Sequence, residues 1–505
     1  MTMKKRLQQI LACLVLCAVL AGGLTLSASA AQFSDVPASS WAADAIGRCV
    51  DMKFFQGETA TRFGMGHEMK RSAFAVVLCR FFGWETAAPT QATYKDVPLD
   101  AWYAGAVEAA YAHGALTDQS DSFRPDDPIT REELAVMLVR ALGYGTIAGL
   151  VQDLPMPFED VTTNVGYITM AYDLGLVGGT TSTTFSPEKT ATREQVAVIL
   201  MRLYDKLHSA APGKVGIVSS AEGLGSLEGY EAVAISAGRL ISAGKPAVNA
   251  TMDQEEAASL QDATHQAGAK ALLRVIGGPT ALNGSVPETA AVLANAVESG
   301  GYDGVFLDIA KLNGDREEAL TRVIRALKAA LGDKLLYLAV EAPSWQGTTY
   351  KGYDYETLGK SVDRMVLRIT SYEKTSGGFP TAPVEPLEEL YYALGEMEGK
   401  VDTGKLSVLL TTTGSSWNSG RKGGSMSGTE IEEVLADKET ETYYSNRYAC
   451  AYLNSTSVDN KSLVVWYLNG QALAERMQLL RCLGVDQVCL SDLRRLSADF
   501  TVGLR

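Results

Sequence analysis

The run GYDGVFLDIA, residues 301–310, predicts a short β-strand. Its C-terminal half is apolar except for Asp308. Side chains alternate along a strand, so Phe306, Asp308 and Ala310 share one face. That face therefore combines an aromatic ring, a single carboxylate and a methyl group that can neither donate nor accept a proton.

Other short β-rich runs lie on both sides of this segment and alternate with amphipathic stretches such as Arg316–Leu331. The predicted strands are Val215–Val218, Ala232–Ser236, Ala271–Ile276, Gly304–Ile309, Leu335–Val340, Met365–Thr370, Leu406–Thr411 and Gln487–Leu490. This rhythm predicts a (β/α)₈ barrel over residues 215–505. A doubly wound open sheet is the alternative, but no glycine-rich phosphate turn follows the first strand. In a barrel, functional side chains lie at the C-terminal ends of the strands.

Residues 301–310 resemble the DGxDxDxE signature of family 18 glycoside hydrolases, the chitinase-like barrels. Further resemblances occur in the order that this family requires, at Arg274–Gly278, at Lys405–Val408 with Gly414–Trp417, and at Val465–Tyr467. The resemblance implies that Phe306, Asp308 and Ala310 stand where the family has Asp, Asp and Glu. In the family, the Glu protonates the leaving oxygen and the neighbouring Asp supports the substrate's acetamido group.

The departures from this pattern predict that the usual mechanism is lost. Ala310 has no proton to give, and losing a general acid costs about two to four orders of magnitude in rate. Phe306 puts an apolar ring where a carboxylate would tune that acid. Ser491 replaces a tryptophan platform in the eighth strand.

In the sixth strand, one alignment puts Arg368, Thr370 and Ser371 in place of the family's Met-x-Tyr-Asp, whereas a shifted alignment to Tyr372-Glu373 restores an aromatic ring and an acid. We expect Asp308 to pair with Arg368 inside the barrel.

Two functions remain for the barrel. The first is a non-hydrolytic, glycan-binding or structural module. The second is a glycoside hydrolase acting on N-acetylglucosamine-containing glycans with a relocated acid, for which Glu341 and then Glu373 are the candidates beside Asp308. The second requires the carboxyl groups of Glu341 and Asp308 to lie within about 9.5 Å of each other.

Aromatic side chains follow the fifth predicted strand and recur near the sixth and seventh. Such rings stack on sugar faces, although an aromatic-rich loop can equally pack on the barrel rim. The candidates for glycan binding by the barrel are Trp345, Tyr353, Tyr372 and Trp417.

Upstream of the barrel, one tetrad recurs at intervals of about 60 residues, as FSDV at 33–36, YKDV at 94–97 and FEDV at 158–161. Each copy continues into two helix-like stretches. The second stretch opens with TREE at 130–133 and TREQ at 192–195, which are capping boxes. An arginine at the first turn of a helix is unfavourable because its charge opposes the helix macrodipole. The arginines at these positions are therefore expected to have a role other than stabilising their own helix. Packing around a pseudo-threefold axis would place them at equivalent grooves, where each could contact a ligand carboxylate.

This series resembles the S-layer homology (SLH) repeat, with copies at 32–88, 92–145 and 156–207 and a linker at 208–214. The resemblance implies a three-lobed helical unit that binds a secondary cell-wall polysaccharide, often one bearing pyruvate ketals. The first copy lacks the capping threonine and glutamate, and the third lacks the tryptophan found at Trp41 and Trp102. By position, the residues that line or support the grooves are Asp35, Arg71, Asp96, Arg131, Asp160 and Arg193.

Residues 1–30 have a basic start at 4–6, an apolar run, and Ala28-Ser29-Ala30 at the predicted cleavage site. This pattern predicts a secretory signal peptide, a location at the bacterial cell surface, and no membrane segment once it is cleaved.

The formal charge of −14 makes nucleic acid a poor partner, because a phosphate backbone needs a concentrated basic face. No CxxC spacing or histidine cluster predicts a metal or another cofactor. Cys49 and Cys79 could pair if their helices pack together, which the sequence leaves open.

Overall fold

The computed structural model describes residues 33–117, 120–152, 154–242, 245–345, 347, 350–372, 381–456 and 461–504. The predicted signal peptide and Glu373 lie outside these described residues. The chain divides into two compact units, Met1–Lys206 and Leu207–Arg505.

The first unit is helical, as predicted. Its helices α1–α7 are Ala43–Asp51, Arg71–Phe82, Ala104–Ala112, Arg131–Ala141, Gly145–Leu150, Val165–Asp173 and Arg193–Leu207. Each repeat supplies two of them, α1 with α2, α3 with α4, and α6 with α7, while α5 joins the second repeat to the third. In α4, Thr130 and Glu133 form the predicted capping box.

A ring of backbone hydrogen bonds closes this unit around a pseudo-threefold axis. The amide of Met69 donates to the carbonyl of Ala191, that of Ala191 to Ile129, and that of Ile129 back to Met69, at 2.8–2.9 Å. Each of these residues lies two positions before the second helix of its repeat. The three arginines that open α2, α4 and α7 therefore occupy equivalent positions, as the repeat pattern predicts.

The second unit is a closed parallel barrel, which confirms the predicted fold. Strands β1–β14 are Gly213–Val218, Tyr230–Ile241, Ala247–Ala250, Lys270–Gly277, Gly304–Ile309, Leu335–Glu341, Arg364–Arg368, Leu406–Leu410, Gly414–Asn418, Arg421–Met426, Glu441–Ser445, Cys450–Thr456, Ser462–Tyr467 and Gln487–Leu490. The barrel order is β1-β14-β8-β7-β6-β5-β4-β2, and β1 pairs with β2 to close it. Every predicted strand overlaps one of these eight.

A second sheet lies between the seventh and eighth barrel strands. It is antiparallel, in the order β10-β9-β13-β12-β11. The sequence analysis missed it because, among the described residues, only one helix, Gly428–Leu435, separates its five short strands, so the regular alternation of strand and helix that marked the barrel strands is absent here. Helices α8–α15 of this unit are Gln254–Gln266, Val286–Ser299, Glu317–Leu331, Tyr355–Ser361, Leu387–Met397, Gly428–Leu435, Gly470–Leu483 and Ala498–Gly503.

Apolar side chains fill the barrel interior below its mouth. Phe306 is fully buried there, packed in one cluster with Leu272, Tyr337 and Val366. Its ring centroid lies 6.4 Å from that of Tyr337. The apolar residue that replaces a family carboxylate therefore belongs to the core, and its burial stabilises the barrel by about 1.5–3 kcal/mol.

The cysteines of the described chain are free thiols, all buried. Cys49 and Cys79 each donate to a backbone carbonyl instead, at 3.5 Å and 3.3 Å. No helix among the described residues is long and apolar enough to span a bilayer. Within the same residues, no three His, Cys, Asp or Glu side chains gather closely enough to hold a metal ion.

Candidate functional site

The face of β5 that carries Asp308 ends in a buried ion network at the barrel mouth. Asp308 is only 6% exposed. Arg274 of β4 donates to its Oδ2 from Nη2 at 2.5 Å, and Arg368 of β7 donates to its Oδ1. The predicted pair between Asp308 and Arg368 is therefore confirmed, and a second arginine shares the same carboxylate.

These cations decide the ionisation of Asp308. Burial alone would raise the pKa of its carboxyl group, but the charges of Arg368 and Arg274 and their hydrogen bonds outweigh it and lower the pKa. Asp308 is thus held as a carboxylate with both oxygens occupied. A carboxylate in that state cannot act as an acid.

Glu341, at the end of β6, belongs to the same network. Its Oε1 accepts from Arg368 Nη1 at 2.7 Å and from the amide of Lys311 at 3.0 Å, while Oε2 accepts from the Tyr353 hydroxyl. One guanidinium therefore bridges Glu341 and Asp308, which brings the two carboxyl groups within the roughly 9.5 Å limit of a two-carboxylate hydrolase. Among the described residues, every hydrogen bond to the Glu341 carboxyl group comes from a donor.

Ala310 lies just beyond β5, half-buried, with its amide donating to the carbonyl of Gly277 at 3.2 Å. The next residue, Lys311, has φ = 62° and turns the chain so that its amide meets Glu341. The backbone at the family's acid position is thus tied to the ion network, while the side chain there is a methyl group.

Burial changes the role of three of the four predicted sugar-stacking residues. Tyr353, Tyr372 and Trp417 are 5%, 4% and 7% exposed. The Tyr353 hydroxyl bonds Glu341 and the carbonyl of Ile309, so this ring braces the network from the loop after β6. Rings packed to this extent have no open face for a sugar, and Trp345 alone remains half-buried.

The sequence analysis missed a second group of acids at this end of the barrel. Glu388 and Glu389, in the first turn of α12, are fully buried. Glu388 accepts from the Tyr372 hydroxyl at 3.0 Å, and Glu389 accepts from the amide of Trp345 at 2.9 Å. Burial raises the pKa of Glu388 to about 6. Acidic residues are common at a helix N-terminus, where they complement the macrodipole. The sequence therefore gave no indication that these two are buried or functional.

In the helical unit, each of the three arginines reaches into the next repeat. The Nε atoms of Arg71, Arg131 and Arg193 donate to the carbonyls of Phe123, Phe185 and Phe63 at 2.7–2.9 Å. Each guanidinium also lies 4.6–4.9 Å above the ring of that same phenylalanine. This clasp explains an arginine at a helix N-terminus, because the side chain joins neighbouring repeats rather than serving its own helix.

The aspartates of the repeated tetrad support the loop that the arginine grips. Asp160 accepts from the amides of Phe185 and Ser186 at 2.7 Å, and Asp35 and Asp96 make the equivalent bonds in their repeats. Burial opposes ionisation of Asp35 and Asp96, but the amide donors lower the pKa of both. These aspartates shape the groove wall from within.

The three arginines differ in their acidic partners. Arg71 pairs with Glu133 at 2.8 Å, and Arg193 lies 3.9 Å from Glu58. For Arg131 no carboxylate of the described residues lies within salt-bridge distance. A groove of about 620 Å³ beside Arg71 also contains Arg124 and Arg140. Burial lowers the pKa of all three clasp arginines.

Family comparisons agree with this division. The S-layer homology domain model matches residues 32–75, 93–135 and 157–197, and the glycosyl hydrolases family 18 model matches residues 250–486. The chain carries three SLH repeats and a family 18, chitinase-like domain. It is a cell-surface protein anchored by its SLH repeats, and SLH domains in general bind cell-wall polysaccharide.

Curated relatives match the chain over about a third of its length. An endoglucanase of Bacillus sp. (strain KSM-635) is 31% identical over 194 residues, which is 36% of this chain and 19% of the endoglucanase. An S-layer protein of Bacillus thuringiensis subsp. finitimus is 25% identical over 195 residues, 38% of this chain and 23% of that protein. The chain thus spans roughly a fifth of the length of these relatives.

Among solved structures, the chitinase from Chromobacterium violaceum ATCC 12472 superposes with a TM-score of 0.50. The match covers 58% of this chain and 98% of the chitinase at 17% identity. At that identity it establishes the barrel fold.

Proposed function

We propose that the family 18-like barrel is a non-hydrolytic, glycan-binding module that the SLH repeats display on secondary cell-wall polysaccharide. The observation that carries the proposal is Ala310 at the acid position, beside Asp308 and Glu341 bound into one arginine network. A family 18 mechanism needs a proton donor at this place, and each oxygen of both carboxylates already accepts a hydrogen bond.

The network has a structural use of its own. Four charges, from Arg274, Arg368, Asp308 and Glu341, neutralise one another at the barrel mouth. Removing one partner of a buried ion pair costs about 3–5 kcal/mol. A single substitution at any one of these four residues is therefore expected to destabilise the barrel. The network therefore preserves the shape of a glycosidase mouth after its proton donor is gone, and Trp345 is left at the rim as a sugar contact.

Anchoring is proposed to depend on an anionic group of the polysaccharide, such as a pyruvate ketal. Arg131 is half-buried, is fixed in place by the carbonyls of Phe185 and Gly178, and lacks a salt-bridge partner among the described residues. A planar guanidinium held in this way is suited to bidentate recognition of a carboxylate.

A turnover assay on the full chain tests the absence of hydrolysis. The substrates are chromogenic N-acetylglucosamine oligomers and purified cell wall, with Glu341→Gln and Glu388→Gln assayed beside the unaltered chain. We expect no turnover by any of the three proteins, with binding of soluble oligomers retained.

Turnover that is abolished by Glu341→Gln or by Glu388→Gln would overturn the proposal and identify a relocated acid. The buried Glu388 is included because its pKa, about 6, suits an acid better than that of Asp308. Soluble oligomers are used so that attachment through the SLH repeats does not mask the behaviour of the barrel.

A further inference from the structure

The antiparallel sheet between β8 and β14 has two edge strands, β10 and β11, and only one of them is protected against pairing with another chain. In β10, the register is interrupted between Lys422 and Ser425, where two glycines lie, and Arg421 adds a second charge. Bulges and basic residues are the usual devices that protect an edge strand. β11 contains no lysine, arginine or proline, and its five residues pair with β12 without interruption. Among the described residues, the backbone of β11 is hydrogen-bonded to β12 alone, so its outer side is an unprotected edge.

A row of stacked aromatic rings runs across the sheet and ends at this edge. Trp466 of β13 lies opposite Tyr452 of β12, with 4.5 Å between the ring centroids, and Tyr452 lies opposite Tyr443 of β11 at 5.0 Å. The Tyr443 side chain is 42% exposed, although aromatic pairs on neighbouring strands stabilise a sheet. A further strand that placed an aromatic ring opposite Tyr443 would continue the row and cover this exposed surface.

The two ends of β11 carry opposite charges. Glu441 begins the strand and is exposed, and its carboxylate accepts a hydrogen bond from the Tyr443 hydroxyl at 2.5 Å. Arg447 lies two positions beyond the end of the strand and is also exposed. In an antiparallel pair of two identical strands, the start of each strand lies beside the end of the other. With Tyr443 of one copy opposite Tyr443 of the other, Glu441 faces Ser445 of the other copy, and Arg447 lies diagonally beyond it, within reach of a long side chain.

We propose that β11 is a self-association edge, at which two copies of this chain pair antiparallel and join their inserted sheets into one continuous sheet. A second copy fits because one strand supplies the aromatic ring, the acid and the base, so a twofold axis satisfies all of them at once. The inference goes beyond the proposed function, since the pairing needs no glycan. A five-residue edge is a small contact, and interfaces that bury less than about 1,200 Å² are typical of transient complexes. We therefore expect a weak, concentration-dependent dimer, which the attachment of many copies to one cell wall would favour.

Sedimentation velocity of the full chain, over a wide range of concentration, tests this proposal. We expect a reversible equilibrium between monomer and dimer in the unaltered chain. Glu441→Arg puts two cations at each end of the paired strands, and Arg447→Glu puts two acids there, so each variant alone should weaken the dimer about tenfold or more. Both residues are exposed, so both variants should fold, and thermal melting checks that they do. The matched control is Arg421→Glu, which reverses an exposed charge on the opposite edge strand β10 and should leave the dimer unchanged.

Mixing the two variants gives the most specific result. A Glu441→Arg chain paired with an Arg447→Glu chain has opposite charges at both ends of the strands, so the mixture should form a heterodimer about as readily as the unaltered chain forms its dimer. A mixture that stays monomeric, or a dimer that Glu441→Arg does not weaken, would overturn the proposal. A dimer that is lost in Arg421→Glu would assign the contact to β10 and would likewise contradict it. A chain that is monomeric at every concentration would leave the edge of β11 to a strand of a different protein, and self-association would be wrong.

Discussion

The helical unit and the barrel both hold buried arginines, but they use them in opposite ways. In the barrel, Arg274 and Arg368 face carboxylates, and the charges cancel inside the protein. In the SLH unit, Arg131 is held by backbone carbonyls and a phenylalanine ring, which fix its position without cancelling its charge. In the barrel, the charges of the arginines are balanced by carboxylates of the protein. In the SLH unit, Arg131 remains a cation that an external anion can neutralise.

This difference distinguishes an ion network that is neutral in itself from a position suited to an external anion. A neutralised network gains nothing from a charged ligand, whereas a fixed guanidinium without a salt bridge to any described residue does. The first SLH repeat lies between these cases, because Glu133 of the second repeat pairs with Arg71. The comparison therefore predicts how each arginine should respond when its partners are changed.

The largest effect is expected from Arg368→Met. This change leaves Asp308 and Glu341 buried without their shared cation, so we expect the barrel to lose about 3–5 kcal/mol of stability. Urea unfolding of the full chain measures the loss, with hydrogen exchange at β5–β7 as the local readout.

Restoring neutrality provides the control for this prediction. Adding Glu341→Gln to Arg368→Met leaves Arg274 paired with Asp308 and no net charge in the network, so most of the lost stability should return. A loss of stability below about 1 kcal/mol for Arg368→Met alone would mean that water reaches the carboxylates of Asp308 and Glu341. The proposed difference between this network and Arg131 would then be wrong.

A smaller effect, dependent on pH, is expected from Glu388→Gln. Burial raises the pKa of Glu388 to about 6 and that of Glu385 to about 7. A raised carboxyl pKa means that the folded barrel prefers the protonated form. The associated stability is therefore complete below about pH 4.3 and is lost as the pH rises through 6 to 7.

Glutamine imitates the protonated acid, so Glu388→Gln should make the barrel more stable than the unaltered chain at pH 7.5, by about 2 kcal/mol. Near pH 4 the two proteins should be equally stable. Urea unfolding between pH 4 and 8 checks this, and a difference that does not change with pH would show that Glu388 does not titrate in this range.

Much of the architecture could be predicted from the sequence, because periodic patterns report on backbone structure. The eight barrel strands and the repeat unit follow from alternation, spacing and capping residues. The pair between Asp308 and Arg368 was predictable because strand alternation puts both side chains inside the barrel.

Burial, in contrast, depends on which surfaces meet, and local sequence does not encode that. Tyr353 and Tyr372 looked like exposed sugar contacts and are buried, while Glu388 looked like a solvated helix acid and is also buried. The partner of Arg71 comes from another repeat, about 60 positions away, so no local motif predicts it.

In the SLH unit, Arg131→Gln should weaken binding to purified cell-wall polysaccharide about tenfold, which corresponds to roughly 1.4 kcal/mol. The matched change Arg71→Gln should weaken it about twofold at most, because Arg71 already has a salt-bridge partner in Glu133, which it shares with Arg124. Thermal melting of both variants controls for the loss of their clasp contacts. A greater loss from Arg71→Gln would instead assign binding to the groove of about 620 Å³ beside Arg71.

The smallest effect, and the one that tests the comparison most directly, is expected from Glu133→Gln. The third repeat already has glutamine at this position, where the Oε1 of Gln195 accepts from the amide of Thr192 at 3.1 Å. Glutamine should therefore keep the capping bond to the amide of Thr130, and stability should change by less than about 1 kcal/mol. What it removes is the negative charge that Arg71 shares with Arg124. We expect affinity for the polysaccharide to rise about two- to threefold and to fall more steeply with added salt, since one more fixed cation can face the ligand. Unchanged affinity, with the capping box intact, would mean that pairing with Glu133 is not what distinguishes Arg71 from Arg131.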